Sequence, residues 1–114
     1  MPVHEFGLID DFNIRKEYGY YAPKEYKCIS VNDDLSQNLS ESLKIMKSYF
    51  HSYDRPEFGL AYWGVTLIPP ESLSLFYDVV VSSPHFKRSD ELTDLAAKIT
   101  QAKEEKEYII HFGI

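Results

Sequence analysis

The stretch Tyr49–Pro70, YFHSYDRPEFGLAYWGVTLIPP, decides how this chain folds. A helix ending in aromatics runs into a charged turn, His51 to Glu57. A long apolar run then stops at a double proline. Pro56 disfavours helical geometry at Arg55, so a turn is required there. Beyond it, Leu60, Tyr62, Gly64, Thr66 and Ile68 alternate with Ala61, Trp63, Val65 and Leu67. Phe58 to Ile68 therefore reads as the central strand, with apolar groups on both faces and cover on both sides. Tyr62 and Trp63 are adjacent, so a strand sends them to opposite faces, one to the core and one to a covering helix or a binding surface.

Upstream, Leu35, Leu39, Leu43, Met46 and Phe50 recur at spacings of three and four, opposite Gln37, Ser40, Glu41, Lys44 and Lys47. That is an amphipathic helix, announced by Asn32-Asp33-Asp34 as cap and acidic first turn. It is expected to continue to the His51–Pro56 turn. Two strands are expected before it, Val3–Ile9 and Tyr26–Val31. Asp10 to Lys24 between them reads as a surface loop pinned by Tyr18, Tyr20 and Tyr21. Downstream, Pro69-Pro70-Glu71 opens a short helix with the stripe Leu73, Phe76 and Val80, closed by Ser82-Ser83-Pro84. Ser89 caps a third helix bearing Leu92, Leu95, Ala96, Ile99 and Ala102 on one side. Tyr108–Ile114 reads as a last strand. The expectation is a single α+β domain, about four strands and three helices in the order β-β-α-β-α-α-β.

The chain has 114 residues, 44% of them hydrophobic, which suits one self-supporting core. Net charge is −6 and no basic run is longer than Lys87-Arg88, so direct nucleic-acid binding is not expected. No apolar run approaches the roughly 20 residues that span a bilayer, and the amino terminus has no signal-peptide pattern. The single Cys28 cannot form an internal disulfide, which suits a reducing cytosol. Glu5-Phe6-Gly7-Leu8 recurs as Glu57-Phe58-Gly59-Leu60 and is echoed by His111-Phe112-Gly113-Ile114. All three are expected in strands, and their likeness is read as shared strand chemistry rather than duplication.

Nucleotide-binding glycine motifs, zincin histidine pairs and paired cysteines are all missing, so no cofactor and no metal are expected. His4 and His111 meet if the terminal strands are neighbours, and Glu5 could then complete a metal site; ordinary strand-end histidines are the simpler reading. An acid–base site is conceivable at the turn, with His51 exchanging protons, Asp54 or Glu57 orienting its ring and Arg55 holding an anion. Local capping and pairing explain the same letters more simply. Cys28 with His51 or His111 as base is the other catalytic option, against an inert buried thiol. Tyrosine is enriched where a surface must exclude water yet keep a polar tip. Tyr18, Tyr20, Tyr21 and Tyr53, with Asp10, Asp11, Asp33, Asp34 and Asp54, are therefore the expected contact residues for a protein partner.

The size, the acidic charge, the lone cysteine, the α+β pattern and the Tyr18–Tyr21 loop resemble the immunity proteins, small inhibitors that bacteria pair with toxins. RPEFGLAYWGVTLIPPESL and the ending YIIHFGI also resemble a group of small bacterial proteins, a resemblance that implies no activity. The first resemblance implies a non-enzymatic inhibitor that covers a toxin, with a basic toxin domain as partner. A small enzyme at the His51–Glu57 turn and a self-associating module joined at a sheet edge are the alternatives.

Overall fold

A computed structural model describes residues 2–114. Strand β1 (Val3–Ile9) is followed by the long loop, which includes a 3-10 turn at Pro23–Tyr26. Then come β2 (Ile29–Asn32), helix α1 (Asp33–Leu43), β3 (Lys47–Phe50), β4 (Pro56–Phe58) and β5 (Val65–Ile68). Helix α2 (Leu73–Val81), helix α3 (Asp90–Glu105) and β6 (Tyr108–Phe112) complete the chain. The six strands form one antiparallel sheet in the order β2-β1-β6-β5-β3-β4. The first and last strands are thus neighbours, paired from Glu5↔Phe112 to Ile9↔Tyr108.

The helices cover one face of the sheet. Phe6, Val31, Ile68 and Ile109 from the strands meet Leu39 and Leu43 of α1, Phe76 and Val80 of α2, and Leu92, Leu95 and Ile99 of α3. Each of those helix residues belongs to the expected apolar stripes. Capping agrees too: Asn32 Oδ1 accepts from Leu35 N at 2.9 Å, and Ser89 Oγ accepts from Leu92 N at 3.1 Å. The second face carries a smaller cluster of Ile9, Val65, Leu67, Ile110 and Phe112. The loop roofs it with Phe12, Tyr18, Tyr26 and Cys28. Among the described residues, no helix is long and apolar enough to cross a membrane.

The domain is α+β, but with six strands rather than about four, in the order β-β-α-β-β-β-α-α-β. Both extra strands come from Tyr49–Pro70 and its approach. Helix α1 stops at Leu43, and Lys47–Phe50 is extended because it is paired on both sides, Lys47↔Phe58 on one and Tyr49↔Leu67 on the other. Long-range pairing here overrides a helical spacing that Phe50 matched by chance. The expected strand Phe58–Ile68 is cut in two by Gly59 (φ 75°) and Gly64 (φ 90°), conformations that leave strand geometry. Tyr62 and Trp63 consequently lie in a loop, both exposed, rather than across a sheet. The expected strand at Tyr26 starts only at Ile29, because Lys27 turns left-handed (φ 52°) after the Pro23–Tyr26 turn. Of the three echoed glycines, only Gly7 lies inside a strand. A Cβ there would stand 2.5 Å from the Tyr26 carbonyl oxygen, so this residue lets the loop approach the sheet.

Candidate functional site

Alternation along the central strands places His4, Thr66 and His111 on the helix-covered face, beside Phe6. Thr66↔His111 and Phe6↔His111 are cross-strand pairs, and Asp33 enters from the first turn of α1. His4 Nε2 lies 2.8 Å from Asp33 Oδ1, His4 Nδ1 lies 2.8 Å from His111 Nε2, and His111 Nδ1 lies 3.1 Å from Thr66 Oγ1. The two imidazoles are nearly coplanar, 11° apart with centroids separated by 5.1 Å, so their hydrogen bond runs edge to edge. Ala61 N donates to Thr66 Oγ1 at 2.8 Å. At the other end, the Tyr62 hydroxyl and the Gln37 amide both donate to Asp33 Oδ2, at 3.3 and 2.6 Å. Ala61 and Tyr62 are consecutive, so the chain of hydrogen bonds closes into a ring.

One proton arrangement gives every member a partner. Ionised Asp33 accepts from His4 Nε2–H, His4 Nδ1 accepts from His111 Nε2–H, and His111 Nδ1 accepts from the Thr66 hydroxyl. Both histidines are then neutral. Burial, reinforced by the proximity of His4, pushes the His111 imidazole down to about 3. The hydrogen bond from His4, with further help from Gln37 and Tyr62, holds the Asp33 carboxyl below its usual range against the opposing effect of burial. His4, Thr66 and His111 are all buried, Thr66 and His111 completely. Nothing from solvent reaches the Thr66 hydroxyl, so the resemblance to a nucleophile–base–acid relay is not matched by access.

His4 and His111 thus meet as the strand order allows, but Glu5 does not join them. It pairs with Phe112 on the opposite face, where it accepts from the Tyr21 hydroxyl at 2.9 Å. Among the described residues, no group of three or more His, Cys, Asp or Glu could hold a metal ion. Cys28 is half-buried, and burial pushes its thiol up to about 12, with Glu5 adding to the effect and Lys98 opposing it.

The expected contact residues divide. Tyr18 is buried and stacks on Phe12, whose ring also lies on Tyr108 at 3.6 Å. Tyr53 stacks on Tyr49 at 4.6 Å over the same face. Asp33 belongs to the ring. Asp10, Asp11, Asp34 and Asp54 are exposed, Asp10 and Asp11 just past the far end of β1 and Asp54 at the β3–β4 turn. Tyr20 and Tyr21 stand in solvent, 80% and 69% exposed. In the turn, Asp54, Arg55 and Glu57 are exposed, and among the described residues no side-chain hydrogen bond or ion pair links them to His51. The His51 ring instead lies against Gly19 and Gly64, and its own backbone is left-handed, φ 68°.

A cleft of about 470 Å³ opens between the start of β1, the tyrosine loop and the 61–64 loop. Gly19, Tyr21, Gly64, Phe112 and Ile114 are among its walls, and among the described residues no charged side chain lines it. Trp63, 71% exposed, precedes Gly64, and Tyr20 stands between Gly19 and Tyr21. Trp63 was foreseen only as one of two alternatives, while Thr66 and Gln37 carried no sequence signal of their roles. Gly64 did carry one, since an isolated glycine inside an apolar strand pattern marks a bulge or a close backbone approach. No protein-family model matches the chain, and comparison with curated proteins and with solved structures found no significant match.

Proposed function

We propose that this chain is a non-enzymatic protein-binding module, an immunity-type inhibitor that neutralises a cognate bacterial toxin. One observation carries the reading: the His4, His111 and Thr66 heart of its polar network is buried, while Tyr20, Tyr21 and Trp63 stand exposed on the segments that wall one cleft, which among the described residues no charged side chain lines. Exposed aromatics on neighbouring segments suit recognition of another protein better than chemistry on a small molecule. The net charge of −6 favours encounter with a basic partner. Affinity purification from the native host, and co-expression with the neighbouring open reading frame, are expected to recover one protein in stoichiometric amount. Recovery of none rejects the proposal.

The alternative with a specific observation behind it is a small enzyme at His51, whose left-handed backbone is a strained conformation for a non-glycine residue. Its test is His51→Ala, which must then abolish a measurable turnover. Self-association through an open sheet edge has less support. Edge strand β4 is three exposed residues led by proline, and the Asn32 amide at the β2 edge is taken by Glu91 Oε1 at 2.6 Å.

A further inference from the structure

The hydrogen-bonded ring has a mechanical consequence for the loop that closes it. Residues 61–64 are gripped at four points. The Ala61 amide is held by Thr66, the Tyr62 hydroxyl by Asp33, the Tyr62 carbonyl by Ile114 N at 2.8 Å, and the Gly64 carbonyl by Gly113 N at 2.7 Å. Trp63 sits in the middle of those grips with its indole in solvent, its ring edge-on to Tyr62 at 5.0 Å. A short loop this firmly tied, yet presenting the only tryptophan of the chain to water, is organised before any partner arrives. The ring's two ends are the two ends of the Ala61–Tyr62 unit, so the buried members set where the exposed ones stand.

We propose that Trp63 is the docking anchor of this protein and that Thr66, His111, His4 and Asp33 are positioning residues that hold its loop in the binding shape. The inference rests on the protein-binding reading above and adds to it where the partner is gripped and what keeps that place in order. The occupant is a basic segment of a protein partner. Two of the exposed tyrosines hand their hydroxyls to carboxylates, Tyr62 to Asp33 and Tyr21 to Glu5, so negative charge stands beside the aromatic rims. Among the described residues, no lysine or arginine lines the cleft walled by Tyr21 and Gly64. A guanidinium or ammonium laid over the indole would meet the ring face beside Tyr62, whose hydroxyl is held by the Asp33 carboxylate.

The test separates positioning from mere stability. Thr66→Val keeps the side-chain shape and removes the hydroxyl, so Ala61 N–H loses its acceptor and His111 Nδ1 its donor; Thr66→Ser restores both. Three readouts are taken on each folded variant: hydrogen exchange of the Ala61 amide, acrylamide quenching of Trp63 emission, and titration with a short amidated peptide of alternating Arg and Leu. The control is the same peptide with Glu in place of Arg. In the wild type the Arg peptide shifts Trp63 emission saturably and the Glu peptide does not. Thr66→Val speeds Ala61 exchange, raises quenching and weakens the Arg peptide about tenfold or more, and Thr66→Ser returns all three. Tyr62→Phe, which opens the ring from its surface end, is the second variant should Thr66→Val fail to fold. Unchanged readouts in the folded variant overturn the proposal, as does an equal response to both peptides. Concentration-dependent self-association that vanishes in Trp63→Ala overturns the basic occupant. A stoichiometric partner whose binding tolerates Trp63→Ala and Thr66→Val would leave the protein a binding module and refute this anchor. Failure to recover any partner sinks the broader reading, whatever the peptides do.

Discussion

His111 sits at the centre of the sheet with no exposure to solvent, between the imidazole of His4 and the hydroxyl of Thr66. Replacing it by leucine supplies bulk but strands two buried polar groups, the His4 Nδ1 acceptor and the Thr66 hydroxyl donor. A loss of about 2–4 kcal/mol is expected from urea unfolding at neutral pH. The pH dependence has a definite sign. The imidazole is pushed from 6.5 down to about 3 in the folded protein, so as pH falls the unfolded chain takes up the proton first. The stability tied to a neutral His111 is complete above 6.5 and drains away toward 3, with a slope approaching about 1.4 kcal/mol per pH unit. Asp33, held below its usual range, acts in the same direction but only in more acid solution, as its carboxylate is protonated. Urea midpoints for the wild type should therefore fall between pH 6.5 and 4, and those of His111→Leu should be flatter there. A level wild-type curve would show that the His111 imidazole is not held neutral by the fold. At this scale the sequence offered His4 and His111 as a conditional pair. It offered nothing for Thr66, because a threonine inside a strand is indistinguishable from any other until its neighbours are known.

At the scale of elements, the loop between β4 and β5 depends on Gly64. Its φ of 90° is unfavourable for any side chain, and a Cβ would stand 2.7 Å from His51 Nε2. Gly19 flanks the ring on its Nδ1 side, where an added Cβ would stand 3.0 Å away. Gly64→Ala is expected to cost about 2–3 kcal/mol in thermal or urea unfolding, part from the backbone and part from the ring. In a His51→Ala background the steric part disappears and the same change should cost about 1 kcal/mol, a coupling that a double-mutant cycle reads directly. Equal costs in both backgrounds would mean the ring is free to move. Helices α2 and α3 were legible in the sequence because stripes at 3.6-residue spacing report only local geometry. The β3–β4 hairpin was not, because Lys47–Phe50 alternates weakly and is extended by the partners it finds at Phe58 and Leu67.

For the whole molecule, the decisive fact is that the last strand lies inside the sheet, between β1 and β5. Removing Tyr108–Ile114 would delete Ile109, Ile110 and Phe112 from the two cores, break the ring at His111, and leave β1 and β5 with open edges. Such a truncation is expected to lose its near-ultraviolet circular dichroism and its cooperative melt; a folded product would show that β1 and β5 can pair without β6. The acidic charge, the capped helices and their buried stripes, the terminal strands and the α+β class were all determined by the sequence alone. Each depends on composition or on residues a few positions apart. The strand order, the splitting of Phe58–Ile68, the meeting of Asp33, His4, His111 and Thr66, and the division of the tyrosines into buried and exposed were decided only by the tertiary structure. Those features join positions up to 107 residues apart, as His4 and His111 show, and no local periodicity records which distant backbone a strand will adopt as its neighbour.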